Sequence, residues 1–149
     1  LHVRSRRQRQ MCIRDRLYVE TIVNNNRRLQ PVIGKTQLKV GDKVVVRLTV
    51  RLDRTMDFVQ LKDQRAACLE PVEVLSGYRN VGDVGCYVAV KDASTDFFFD
   101  TLNKGTYVLE YSYRVDRAGS YEAGIATIQS AYAPEYAAHS ASARYEVSQ

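Results

Sequence analysis

A chain of 149 residues, 45% of them hydrophobic, is long enough to bury a core of ordinary domain size, and no run of 18 apolar residues offers a membrane-spanning helix. The formal net charge of +5 would suit a nucleic-acid ligand, yet the excess is confined to the first 16 residues, where six arginines face Asp15 alone. From Leu17 onward sixteen basic and sixteen acidic residues balance, so the rest of the chain makes no electrostatic case for nucleic acid as a partner.

The first stretch in chain order is "SRRQRQMCIRDR", residues 5–16. It lacks the aromatic interleaving of a base-stacking surface, the apolar core of a secretory signal and the amphipathic pattern of a transit peptide. It resembles a translated sequencing adapter. The transposase mosaic end ATGTGTATAAGAGACAG reads Met-Cys-Ile-Arg-Asp-Arg when a purine follows, as in Met11 to Arg16, and the adapter bases before it read as Arg6 to Gln10. The resemblance implies that residues 1–16 are an artefact, disordered and outside the fold, and that residues 17–149 form one domain of a longer chain. Cys12 and His2 then fall away, leaving Cys68, Cys86 and His139. Two cysteines permit one disulfide at most, and their pairing stays open.

The elements that follow read as extended. "LYVETIV" opens the series, and Asn24 to Arg28 is a polar loop. In "GDKVVVRLTVRLD", Val44, Val46, Leu48, Val50 and Leu52 point one way and Arg47, Thr49 and Arg51 the other, after a Gly41-Asp42 turn. "TMDFVQLKD" is a further strand, and "FFFD", Phe97 to Asp100, is short and rich in strand formers. "GTYVLEYSYRVD" alternates again, with Tyr107, Leu109, Tyr111, Tyr113 and Val115 on one face and turn signals at both ends. "SYEAGIATIQSAY" and "ASARYEV" complete the set. The one helical candidate is a single turn around Arg65 to Leu69, ended by Pro71. About seven short strands with turns every 8 to 12 residues predict an all-β chain, an antiparallel β-sandwich with at most a short helical turn.

The blocks "DFVQLKDQRAACLEP", "LSGY", "KDASTDFFFDTLNKGTYVLEY" and "DRAGSYEAGIATIQSAYAPEYAAHS", in that order, resemble the C-terminal macroglobulin-like domain of bacterial alpha-2-macroglobulins, in its Bacteroidetes-type version. The resemblance covers most of Leu17 to Val147. It implies a macroglobulin or fibronectin III-like sandwich at the end of a large periplasmic chain, anchored through an N-terminal lipoprotein signal, that traps proteases cleaving a bait region. The domain would be non-catalytic. Its implied partners are an upstream helical thioester-type domain of the same chain, on which it would dock, and target proteases reached through the full-length protein. Tyr132 in "SAYAPEYAAHS" is the best match to a tyrosine that shields the thioester in such proteins, with Pro134, Glu135 and Tyr136 completing the interdomain loop. A phenol ring suits that task, because a thioester persists only where water and amines are excluded.

Other chemistry finds little support. Neither Cys68, followed by Leu-Glu-Pro, nor Cys86, followed by Tyr-Val-Ala, has the Cys-x-x-Gln spacing of a thioester, and Cys68 reads as a small buried residue. A Cys68 and His139 dyad has nothing in the sequence to join it. No nucleophile elbow, phosphate loop or zinc motif occurs, so no catalytic residue, cofactor or metal is expected. Asp92, Asp96 and Asp100 recur at four-residue intervals but flank an aromatic strand rather than forming a calcium loop, and a solvated turn is the expected setting. The alternative is a cell-surface or carbohydrate-binding β-sandwich module assisted by calcium, which predicts exposed aromatics clustered on one end and a metal-dependent melting shift.

Overall fold

The computed structural model describes residues 11–32, 38–122, 124–132, 137–140 and 144–149. Those residues form fourteen strands and no helix: β1 Met11–Val23, β2 Asn26–Pro31, β3 Leu38–Lys39, β4 Lys43–Leu52, β5 Met56–Gln64, β6 Leu69–Pro71, β7 Gly77–Val81, β8 Val84–Val90, β9 Ser94–Leu102, β10 Gly105–Val115, β11 Gly119–Glu122, β12 Ala126–Ser130, β13 Ala137–His139 and β14 Arg144–Ser148. They assemble into a five-stranded sheet in the order β2-β1-β4-β10-β6 and a six-stranded sheet in the order β13-β12-β5-β9-β8-β7, with a small sheet β11-β14-β3 beside them. Every pairing in the two large sheets is antiparallel; only β14 and β3 run parallel. The expected all-β sandwich is what forms.

Alternation in the sequence decides which face is buried. Val44, Val46, Leu48, Val50 and Leu52 of β4, with Leu109, Tyr113 and Val115 of β10, meet Val59 and Leu61 of β5, Phe97 and Phe99 of β9 and Ile128 of β12 in one apolar core. Each side chain of this size taken fully out of water contributes about 1.5–3 kcal/mol, which is why two sheets with one apolar face each must stack. Cys68 is buried here, as expected of a small apolar residue.

Three local readings differ. The polar loop at Asn24 to Arg28 is a two-residue turn followed by β2: Val23 faces Asn26 across it, and Asn24 and Asn25 take φ of 52° and 65°. Asparagine tolerates the left-handed region, so two in succession make a hairpin turn. Around Arg65 to Leu69 there is a turn closed by Leu69 N–H donating to the Ala66 carbonyl, 3.0 Å, and β6 follows at once. Strand β1 begins six residues before the boundary expected at Leu17, whereas residues 1–10 lie outside the described residues. Met11 to Arg16 pair with Leu52 to Arg47, and Ile13 is buried. The physical reason is that the ladder is made of backbone groups, so the long edge of β4 pairs with whatever extended chain precedes Leu17, provided the inward positions tolerate burial.

The turn between β7 and β8 ties the two large sheets together. Asp83 N–H donates to the Val108 carbonyl at 3.1 Å, and Val108 N–H donates back to Asp83 Oδ1 at 3.0 Å. Gly82, at φ 71°, allows the approach: a Cβ there would stand 2.3 Å from the Val108 oxygen.

Candidate functional site

The residue singled out by the sequence, Tyr132, follows β12 by two positions. Strand β12 is held against β5 by the register Ile128↔Leu61 and Ser130↔Val59. Beyond the ladder, Ser130 Oγ donates to the Asp57 carbonyl at 3.1 Å and Ala131 N–H to the Phe58 carbonyl at 2.9 Å, so the chain leaves β12 pinned to β5. The Tyr132 ring then meets Phe58 edge to face, centroids 5.1 Å apart at 88°, while 77% of Tyr132 stays exposed. Phe58 is itself half exposed and takes φ 53°, which a bulky aromatic residue rarely adopts. Such backbone strain costs on the order of 1–3 kcal/mol and collects at working sites. Pro134, Glu135 and Tyr136 lie outside the described residues.

On the inner side, sequence reading overlooked a polar cluster between the sheets. Tyr111 and Tyr113 of β10 both donate their hydroxyls to Asp63 Oδ2, the second at 3.2 Å, and Tyr113 shares a 3.1 Å hydrogen bond with Thr95 Oγ1. Arg65 donates to Thr95 Oγ1 at 2.8 Å and lies 5.8 Å from the Tyr113 ring centroid. Burial pushes the Asp63 carboxyl up to about 6, opposed by the two phenol donors; burial likewise drives both phenols well above their ordinary range. Asp15 adds like charge, and its own carboxyl is raised by burial. A carboxylate at an inward position of β5, opposite two inward tyrosines of β10, was the available signal. Both phenol hydroxyls find an acceptor in the cluster, and it presents no nucleophile.

The remaining candidates separate. Cys68 and Cys86 are both free and buried, and burial pushes their thiols up, Cys86 to about 11, so neither resembles an activated thiolate. His139 is exposed on β13, with Cys68 enclosed in the core. The solvated turn expected for the aspartates holds for Asp92 and Asp100, which are exposed, but not for Asp96, which points inward from β9 and is buried beside Lys91 Nζ, 2.9 Å, and Ser94 Oγ, 3.0 Å. Among the described residues no three metal-ligating side chains converge.

The model of the bacterial alpha-2-macroglobulin MG10 domain matches residues 16–135, most of the chain. The chain belongs to this family. Solved alpha-2-macroglobulins share the MG10 fold seen here. The Salmonella protein reacted with methylamine is 20% identical with a TM-score of 0.68, and a tyrosine-to-glycine mutant of it is 20% identical with a TM-score of 0.70; each match covers 92% of this chain and 9% of that one. The native Escherichia coli protein, from domain MG7 to the C-terminus, is 15% identical with a TM-score of 0.71, covering 94% and 24%. This MG10 domain thus spans a small fraction of the length of the proteins it resembles. Among curated proteins no sequence matches significantly. No helix among the described residues is long and apolar enough to cross a membrane.

Proposed function

We propose that this domain is a non-catalytic, terminal part of a periplasmic, lipid-anchored protease trap, and that it works by docking on an upstream helical domain of the same chain with Tyr132 as the cover of a thioester. The observation that carries the reading is the presentation of Tyr132. Its ring is held outward on Phe58, at a point where the backbone is fixed by two hydrogen bonds to β5. An aromatic ring held in place before docking loses little freedom when it docks, so more of its apolar area becomes net binding free energy. That a Salmonella relative was crystallised after methylamine treatment and as a tyrosine-to-glycine mutant is consistent with an amine-sensitive site and a tyrosine of interest in that protein.

Bait cleavage would release the thioester only if the docked contact is weaker in the cleaved state, since a shift of populations needs a difference in free energy between the two. The test is Tyr132→Gly in the full-length protein, following thiol release in methylamine before any protease is added. Faster release than in the parent supports shielding. Equal rates remove it.

A further inference from the structure

The outward face of the six-stranded sheet carries a second aromatic group, away from Tyr132. Tyr78, Tyr87 and Phe98 stand in one row across β7, β8 and β9, each opposite the next in register. Tyr78 meets Tyr87 at 5.0 Å and 73°, and Tyr87 meets Phe98 at 6.4 Å and 51°. Tyr78 is 84% exposed and the other two remain partly open to solvent. Isolated exposed rings need no explanation; three in contact on one sheet face do.

Beside this row the sheet opens. The ladder between β8 and β9 runs from Val90↔Thr95 to Tyr87↔Phe98 and goes no further, although both strands continue. The β7–β8 hairpin leaves β9 because its Gly82-Asp83 turn is fastened to Val108 of the opposite sheet. The result is an open trough of about 770 Å³, lined by the aromatic row together with Asn80, Gly85, Asp100 and Thr101. Gly85 has no side chain to fill it, and a Cβ there would approach Asn80 Oδ1 at 3.1 Å. The volume lies in the range of small-molecule sites, and the lining combines ring surface with a few polar groups.

The chemistry of the walls narrows the ligand. Arg79, the one cationic side chain in the lining, donates to the Leu75 carbonyl at 2.6 Å, and Asp100 contributes a negative charge, so an anion is disfavoured. An inserted peptide strand is disfavoured by length: the splayed part of β8, Val84 to Cys86, offers about 10 Å of backbone, less than a typical strand needs. A neutral polyhydroxylated ring fits both properties. One of its faces carries C–H groups that pack on an aromatic ring, and its hydroxyls donate to the Asp100 carboxylate and exchange hydrogen bonds with the Asn80 amide and the open peptide groups.

We propose that this trough is a binding site for a neutral oligosaccharide, with Tyr78 and Tyr87 as the stacking surface and Asn80 and Asp100 as hydroxyl partners. The site needs no metal ion and is separate from the Tyr132 loop. The experiment is a titration of the domain with cellotetraose, maltotetraose and N-acetylchitotetraose, by calorimetry and by tyrosine fluorescence, which is readable because the chain has no tryptophan. At least one saturates with a Kd of about 1 mM or tighter. Tyr78→Ala weakens that binding tenfold or more while the melting temperature falls by only a few degrees, since its ring is 84% exposed and its one ring contact is Tyr87. Asp100→Asn weakens it less, and a chelator changes nothing. Absence of saturation with all three sugars, or undiminished affinity in Tyr78→Ala, overturns the proposal.

Discussion

The ring of Tyr132 stands on the ring of Phe58, and the backbone nitrogen beside Tyr132 donates to the carbonyl of that same phenylalanine. One residue with a left-handed backbone therefore supports the presented tyrosine twice. Replacing Phe58 by Gly relieves a backbone cost of about 1–2 kcal/mol and removes a ring pair of about 0.5–1.5 kcal/mol. The two nearly cancel. Urea unfolding of Phe58→Gly is expected to stay within about 1 kcal/mol of the parent, while amide exchange at Ala131 and Tyr132 accelerates. Unchanged exchange would mean that the β12–β5 hydrogen bonds alone hold the loop.

The Asp63 cluster makes stability depend on pH in a direction opposite to that of an ion-paired carboxylate such as Glu20, whose pKa is lowered in the fold. Its carboxyl sits at about 6 in the fold against an ordinary value of 3.8, so between about pH 4 and 6 the folded state binds the extra proton. Stability contributed by protonation is present in full below the unfolded value and is lost as pH rises through the folded one, on the order of 3 kcal/mol in all. Chemical denaturation at pH 4.5 and 7.5 measures the difference. Asp63→Asn, which keeps an acceptor for the phenols but does not titrate, is expected to flatten this component; a slope equal to the parent's would assign it elsewhere.

Asp15 lies between Ile13 and Leu17 on the inward side of β1, where it faces Asp63 and is raised by burial. An acid at an inward position of a paired strand carries a desolvation cost. Asp15→Ala is expected to raise stability modestly, because burial disfavours the half-buried carboxylate by more than its hydrogen bond to Ser140 returns. Truncation before Leu17 strips the pairing of Met11 to Arg16 from β4 and is expected to lower the melting temperature. Amplification of the source DNA upstream of the Leu17 codon tests the adapter origin directly.

Gly82 is expected to be intolerant of any side chain. Its φ of 71° and the Val108 oxygen 2.3 Å from a Cβ together make Gly82→Ala costly, by more than about 2 kcal/mol in urea unfolding. Gly41, at φ 96° with open space around it, should lose less on the same change. Equal losses would show that conformation, not close approach, sets the penalty.

Strand periodicity and block resemblance were legible directly. The alternation in β4 and β10 named the buried faces, since a side-chain period of two is a property of the extended backbone itself. Tyr132 could be named from its neighbours in the chain, but not its support, because Phe58 is 74 positions away and its positive φ leaves no mark in composition. The hairpin after Val23 was hidden because paired asparagines also suit an irregular loop. The Asp63 cluster and the trough depend on register between strands distant in sequence: Asp63 meets Tyr111 and Tyr113 across the core, and the gap beside Tyr87 opens because a turn is fastened to the opposite sheet. Local pattern specifies which way a residue points; only long-range pairing specifies what stands opposite.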